Sequence, residues 1–409
     1  MTTAAASPGR GAVAPSPAVA PPPGNPRFPL FDSLRGLAVL AVLVYHVFVL
    51  TGALDRAWIG DAVATAGSQG PILFFAISGF LLYRPWVAAK SEARAAPGTG
   101  RYFRRRALRI LPAYWFALTV LAIYPGITGV FTEDWWRYYF FLQLYDADTL
   151  ILGIPVTWTL CVEVTFYLAL PLWAAAVRRL SLRWELVALA APAALGVAVQ
   201  VAAGRQAVDN MAAQSLLGQS AWFALGMTLA VVSVTAGRAG GSRARGLVQA
   251  VAARPGQCWA VALAACAGLV VLRHQPNGFF GILLETQKVQ SFPKLFADIA
   301  QTAVMLGGIL LPAVWDTPAR LPQRVLGATP LAGLGLISYG VFLWHLTVAE
   351  LLILPEMPTH FEADGLGLTN HIPQLGTLIL LVLTLAVSCA VAALSYRFVE
   401  LPFLRRKEG

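Results

Sequence analysis

The composition is that of a protein built into a membrane. Of its 409 residues, 57% are hydrophobic and only 12% are charged, about half the charged share of an average soluble protein. The net charge of +10 does not indicate nucleic-acid binding, because the basic residues form short clusters between apolar runs. The four cysteines lack metal-ligand spacing, so neither a disulfide framework nor a metal site is predicted.

Ten segments are predicted to cross the membrane, since each offers the roughly 20 mostly apolar residues that a spanning helix needs. They are 31–51, 71–89, 107–125, 157–177, 184–203, 211–235, 257–273, 297–315, 331–354 and 375–398. Residues 1–30 are rich in Pro, Ala, Gly and Ser and are predicted to be a disordered tail. The predicted fold is therefore an all-α membrane domain, 31–400, followed by a basic tail, 401–409.

Basic clusters fall in alternate loops and in both tails, which predicts that both termini are cytoplasmic in a multi-pass cell-membrane protein. The opposite loops carry acids instead. Two of these loops, near 126–156 and 355–374, are also considered as a cover for a sugar face because the first is rich in Trp and Tyr. An interfacial aromatic belt is the favoured interpretation.

Ionisable residues inside apolar helices are the main functional signal. Arg35 and His46 lie eleven positions apart in the first predicted helix, Glu163 lies in the fourth and His345 in the ninth. Buried charge is costly in hydrocarbon, so such groups usually face a bundle interior or a wet cavity. Counting about 1.5 Å per residue from the predicted helix ends places His46, Glu163 and His345 at one level in the outer half.

The arginines are predicted to lie at the inner face instead. Arg106 and Arg109 share one helical face, and this spacing can present two guanidinium groups to one anionic ligand. Arg104 and Arg105 lie beside them. The pattern predicts an anionic ligand, such as a phosphate, that enters from the cytoplasm.

Each signal also has an ordinary structural explanation. The arginine cluster can be a topology anchor, and His345 can be a hydrogen-bonded histidine of the bundle. Asp32 and Arg35 can form an intrahelical salt bridge. His46 together with Glu163 is harder to explain structurally, because both are ionisable at the same predicted depth.

The ordered set of motifs resembles the acyltransferase 3 family of integral-membrane acyltransferases, which includes O-antigen and exopolysaccharide acetylases and macrolide acyltransferases. The matching segments are DSLRGLAVLAVLVYH (32–46), FFAISGFLL (74–82), RRRALRILPAYW (104–115), TWTLCVEVTFYLALPL (157–172), SYGVFLWH (338–345) and YRFVELP (396–402). The resemblance implies a ten-helix bundle that transfers an acyl group, commonly acetyl, from cytoplasmic acyl-coenzyme A to an acceptor hydroxyl. No metal is expected.

Carried over by position, the resemblance assigns Arg35 and His46 to the family's essential pair and Glu163 to its motif acid. It matches Arg106 and Arg109 to the family's Arg-x-x-Arg motif. We expect these two, with Arg105 beside them and with Arg35, to hold the phosphates of the donor. The chain departs from the family where Val164 and Thr165 follow Glu163, since relatives often carry a second Glu and a Gln there. Other residues of the motifs that can line the site are Tyr45, Ser78, Trp158, Ser338, Tyr339 and His345.

The mechanism expected from the residues is direct acyl transfer with His46 as general base. Glu163 is expected to orient His46 or to stabilise its protonated form, as the acid does in a triad. The alternative is a ping-pong route through an acyl-histidine. The expected acceptor is a carbohydrate or glycolipid of the cell envelope, with a secreted macrolide as the second choice. The oligomeric state is left open, and a proton-coupled transporter or a scaffold remain the competing classes.

Overall fold

The computed structural model describes residues 28–55, 57–236, 246, 250–251, 253–274, 292–314, 321–327, 329–353 and 374–406. Most of the tail predicted at 1–30 and nearly all of the loop predicted near 355–374 lie outside these ranges. Within them the chain is helical and contains no β-strand. The all-α class predicted from the sequence is confirmed.

Ten helices in the described ranges are long and apolar enough to cross a membrane, as predicted. They are α1 (Pro29–Leu50), α2 (Ala57–Ser91), α3 (Thr99–Ile123), α4 (Trp158–Ala176), α5 (Leu182–Gly204), α6 (Leu216–Ala236), α7 (Pro255–Arg273), α8 (Phe292–Val314), α9 (Thr329–Leu352) and α10 (Gln374–Ser395). The main packed pairs are α1 with α2 and α9, α2 with α6, α5 with α6, α7 with α8, and α9 with α10.

Helix α2 begins 14 residues earlier than predicted, at Ala57 instead of residue 71. Its first turns contain polar residues of a kind that favours a loop. The pair Gly70 and Pro71 is typical of the start of a helix. The structure gives the polar residues partners on another helix: Asp61 contacts His274, and Ser68 accepts from Arg273. An internal proline is tolerated in a membrane helix where neighbouring groups satisfy the freed backbone.

Helix α10 also extends beyond its predicted end. Residues Tyr396–Glu400 form a wider helical turn with five-residue hydrogen bonding, and Leu401–Arg405 continue the helix. The first five residues of the predicted tail, 401–405, are therefore helical. Wide turns of this kind are rare and often occur at functional sites. Here the turn ends on Glu400, whose side chain is buried.

Two glycines set the relative height of α1 and α9. A Cβ atom on Gly335 would lie 1.8 Å from the backbone oxygen of Asp32, and one on Gly36 would lie 2.7 Å from that of Leu331. The two backbones thus touch at Gly36 and Gly335. His46 and His345 each follow their glycine by ten residues, so two parallel helices bring them to the same height.

Gly335→Ala is expected to destabilise the protein by about 3 kcal/mol, because the new methyl group would collide with the backbone of α1. Thermal unfolding in detergent, followed by the loss of monodisperse protein, measures this effect. Gly333→Ala is the matched control, since a Cβ atom there meets nothing within 4 Å. Equal stability of the two variants would contradict the close crossing.

The connection between α3 and α4 folds back into the end of the bundle. Tyr114 donates a hydrogen bond to the backbone oxygen of Tyr138 at 2.7 Å, and the Gln143 amide donates to the Thr157 hydroxyl at 3.1 Å. Gln143 and Thr157 are 1% and 0% exposed. Helix α4 consequently starts inside the bundle and not at its surface.

Candidate functional site

The centre of the candidate site is a pair of histidines, one on α1 and one on α9. The Nε2 atom of His345 lies 3.1 Å from Nδ1 of His46. His345 is fully buried and His46 is partly exposed. The sequence predicted that both lie at one level, and their contact bears this out.

The surrounding carbonyl groups assign the proton positions in this pair. Nδ1 of His345 lies 2.9 Å from the carbonyl oxygen of Phe342, and Nδ1 of His46 lies 2.8 Å from that of Val42. A carbonyl oxygen only accepts, so each Nδ1 carries a hydrogen. Nε2 of His345 then accepts from the same Nδ1–H of His46, which is shared with the Val42 carbonyl oxygen, and Nε2 of His46 keeps its lone pair.

Three arginines gather nearer the other end of α1. Arg35 lies within electrostatic range of Arg109 and Glu163, and Arg106 lies within range of Glu163. Arg35 also pairs with Asp32 at 3.2 Å, as the intrahelical salt bridge considered from the sequence. Eleven residues of α1 separate Arg35 from His46, which corresponds to about 16 Å along the helix.

Glu163 belongs to the arginine cluster and does not contact His46. Its carboxylate accepts a 2.5 Å hydrogen bond from the Ser78 hydroxyl, and Tyr167 is a second hydrogen-bond partner one turn along α4. Among the hydrogen bonds of the described residues, none joins Glu163 to His46. The expected Glu163 to His46 contact is therefore corrected: the ionisable side chain that contacts His46 is His345.

Glu163 does not lie at the predicted depth, because that depth assumed that α4 starts at the surface of the bundle. That start lies below the bundle surface, after the buried residues Gln143 and Thr157. Glu163 is consequently deeper than counted, at the level of Ser78 and Arg35. The same residue count places His46 of α1 and His345 of α9 at one level, and these two helices do cross in a fixed register.

Arg109 has a partner that the sequence analysis did not single out. Its Nη1 atom lies 3.6 Å from Oε2 of Glu400, which is 2% exposed. Both carboxylate oxygens of Glu400 lack a hydrogen-bond partner in the described part of the chain. Tyr339 approaches the same region and donates a 3.0 Å hydrogen bond to the backbone oxygen of Ile110, next to Arg109.

The remaining candidates occupy different positions around these groups. Tyr45 contacts the His46 ring edge to face at 5.1 Å. Trp158 packs edge to face on Phe75, and Ser338 donates to the backbone oxygen of Gly335 at 2.8 Å. Arg105 is half-buried, and its Nε atom has no partner among the described residues.

Two tyrosines were missed that complete the arginine cluster. Tyr167 is a hydrogen-bond partner of Glu163, and Tyr102 lies within electrostatic range of Glu163 and Arg106. Both could have been found from sequence, since each lies four residues from its partner in the same helix, Glu163 or Arg106. The Tyr102 hydroxyl is buried and has no hydrogen-bond partner within the described ranges, which leaves a donor for a ligand.

The side chains of this region offer positive charge and hydrogen-bond donors. Three guanidinium groups and an unpartnered phenol suit phosphate oxygens. No group of three or more His, Cys, Asp or Glu side chains suited to a metal ion occurs in the ranges that the structure describes.

The described helices thus form a membrane bundle that holds an imidazole pair and, nearer one end, an arginine cluster, and ionisable groups inside such a bundle are usually functional. The chain belongs to the Acyl_transf_3 family, described as an acyltransferase domain, whose family model matches residues 29–393.

The chain is similar to several curated proteins. It is 23% identical to the peptidoglycan O-acetyltransferase OatA of Listeria monocytogenes, over 93% of this chain and 56% of that protein. It is 24% identical to the acyltransferase MdmB of Streptomyces mycarofaciens, over 80% of each. Nodulation protein 10 of Rhizobium leguminosarum is 30% identical over 35% of this chain and 43% of that protein. The chain thus spans about half the length of the Listeria and Rhizobium relatives. No solved structure matches it.

Proposed function

We propose that this protein is a membrane O-acyltransferase that moves an acyl group, acetyl in the first instance, from cytoplasmic acyl-coenzyme A to a hydroxyl of a cell-envelope glycan or glycolipid. The observation that carries the proposal is the free Nε2 lone pair of His46, held in place by His345. Family membership supports the reaction class. The similarity to a peptidoglycan O-acetyltransferase over 93% of the chain supports a glycan acceptor.

The arginine cluster is assigned to the coenzyme A phosphates. Exposed arginines such as Arg101, Arg178 and Arg324 lie in the same set of connections as this cluster, which supports a cytoplasmic orientation for that end. Arg35, Arg106 and Arg109 then bind phosphate, and the pantetheine arm extends along α1 towards His46. The acidic partners Glu163 and Glu400 hold the guanidinium groups in position.

In the proposed step, Nε2 of His46 takes the proton of the acceptor hydroxyl as its oxygen attacks the thioester carbonyl. The tetrahedral intermediate collapses, the carbon–sulfur bond breaks, and the coenzyme A thiolate leaves with the proton from His46. His345 accepts from Nδ1–H of His46 throughout, so it stabilises the transient imidazolium. Direct transfer needs no enzyme-bound acyl group. If an acyl-histidine were trapped on His46, the ping-pong route would replace it.

The competing transporter class uses the same residues as a proton or solute path. It does not require coenzyme A, so the two classes predict different results in one assay. Free coenzyme A release from labelled acetyl-coenzyme A is measured with purified protein, with and without an extract of envelope glycans. Extract-dependent release supports the proposal. No release, even with longer acyl donors and secreted metabolites as acceptors, would contradict it.

His345→Gln is expected to lower the turnover number by about 100-fold, because a small misplacement of a catalytic base has an effect of that size. We also expect the acid limb of the pH–rate profile to move to lower pH, since imidazolium at His46 loses its imidazole acceptor and keeps only the Val42 carbonyl oxygen. The Michaelis constant for acetyl-coenzyme A should change little. A lower rate with an unchanged pH profile would indicate that His345 is only a packing residue.

A further inference from the structure

A second polar cluster lies at the end of the bundle away from the arginines. Arg35 lies near the start of α1. Helix α2 begins close to the opposite end of α1. There Asp61 of α2 lies 2.5 Å from Nδ1 of His274, which follows the last residue of α7. Asp61 is 6% exposed. A carboxylate oxygen beside Nδ1 makes that nitrogen the donor, so Nε2 of His274 is left available.

A tryptophan completes this cluster. The Trp58 ring stacks on the His274 ring at 3.9 Å with an angle of 9° between the planes. Trp58 is nevertheless 50% exposed, because His274 covers one face of the indole only. The result is a flat apolar surface, fixed in orientation by an imidazole that a buried carboxylate holds.

Arg273, the residue before His274, holds this end of α7 in place. It forms a two-pronged ion pair with Asp298 of α8 at 2.6 and 2.9 Å, and its Nη1 atom donates to the Ser68 hydroxyl at 2.7 Å. Ser68 follows Trp58 by ten residues, about 15 Å along α2, so this ion pair ties α7 to α2 and α8 and does not border the Trp58 ring. The cluster of Trp58, Asp61 and His274 is named the outer cluster below.

We propose that the outer cluster binds a pyranose ring of the saccharide acceptor, an inference that rests on the proposed function. The apolar C–H face of the sugar packs on the open face of Trp58, and a sugar hydroxyl donates a hydrogen bond to Nε2 of His274. An aromatic surface with a few fixed polar groups is the usual composition of a small-molecule site.

The position of the outer cluster relative to His46 fits this role. Gly67 of α2 packs directly on Tyr45, since a Cβ atom at Gly67 would lie 2.3 Å from that of Tyr45. Tyr45 is the neighbour of His46 in sequence. Asp61 precedes Gly67 by six residues, about 9 Å along α2 towards the outer end. A glycan held at Trp58 can thus extend a neighbouring sugar unit towards His46.

Trp58→Ala tests the proposal, with Trp135→Ala as the matched control. Trp135 is a similarly exposed tryptophan, at 51%, in the connection between α3 and α4. Binding of the peptidoglycan disaccharide GlcNAc–MurNAc to the full chain in nanodiscs is followed by saturation-transfer NMR. We expect Trp58→Ala to weaken disaccharide binding about 10-fold or more, which corresponds to the loss of one stacking contact. Trp58→Phe should restore part of the affinity, and Trp135→Ala should bind as wild type.

Acetyl-coenzyme A binding is measured on the same samples as a test of folding and of the proposed function. Normal donor binding with weakened disaccharide binding in Trp58→Ala supports the inference. Equal disaccharide binding by Trp58→Ala and wild type, or no binding by wild type, overturns it while leaving acyl transfer intact. Quenching of Trp58 by brominated lipids without any saccharide effect also overturns it, since the residue is then a membrane anchor. Absence of coenzyme A-dependent turnover would instead refute the proposed function.

Discussion

His46→Ala is expected to reduce acyl transfer by about 10²- to 10⁴-fold, the range of a general base in a proton-transfer step. The physical reason is that Nε2 of His46 is the free imidazole nitrogen of the histidine pair. Nε2 of His345 accepts from His46. The Nδ1 atom of His345 donates to a carbonyl group, and the Nδ1–H of His46 is shared between the Val42 carbonyl oxygen and His345. No other nitrogen of the pair is able to accept the proton of an acceptor hydroxyl.

The measurement is single-turnover transfer from labelled acetyl-coenzyme A, combined with donor binding on the same preparation. Donor affinity should stay within about twofold of wild type, because Arg35, the arginine on the same helix, lies about 16 Å from His46 along α1. Retained turnover in His46→Ala would refute its role as base. Joint loss of turnover and donor binding would mean that the variant is misfolded and that Gly36 and Gly335 no longer align the helices.

Arg106→Ala is expected to weaken donor binding by about 10- to 100-fold, the effect of losing one charge-assisted contact to a phosphate. The turnover number at saturating donor should change little, because Arg106 lies with Glu163 and Tyr102 and not with the histidines. Equilibrium binding of coenzyme A and the Michaelis constant for acetyl-coenzyme A both report this.

Arg101→Ala is the matched control, an exposed arginine on the same helix. Arg106→Lys should recover part of the affinity, since it keeps the charge and loses the planar fork. If Arg101→Ala and Arg106→Ala weakened binding equally, the cluster would be a diffuse basic surface. The topology-anchor explanation of the arginines would then be the correct one.

Much of the fold was predictable because a membrane imposes a length on every spanning segment. Nine of the ten predicted spans start within about eight residues of the observed candidate spans, as the 20-residue requirement dictates. The exception is α2, where Asp61 and Ser68 made a helix look like a loop. Their partners, His274 and Arg273, are more than 200 residues away, and no local pattern reveals such a pairing.

The candidate site was predictable where it depends on register and unpredictable where it depends on tertiary contacts. His46 and His345 follow Gly36 and Gly335 by the same number of residues, so the sequence itself determines that they lie at the same level of the bundle. Glu163 was placed wrongly because the fold of residues 124–157 decides its depth. Glu400 was missed because a wide helical turn at Tyr396–Glu400 directs it inward, and a uniform helical periodicity does not anticipate such a turn.

The pairing of each arginine with an acid has a consequence for the catalytic cycle. Arg35 and Arg109 form ion pairs with Asp32 and Glu400, and Arg106 lies within electrostatic range of Glu163, so acidic side chains offset much of the positive charge of the cluster. Insertion of the bundle into the bilayer is easier for a compensated group of side chains than for three uncompensated cations. Under the proposed function, a phosphate-bearing donor adds negative charge to this group. The same carboxylates would then limit how tightly spent coenzyme A is held and favour its departure after each transfer.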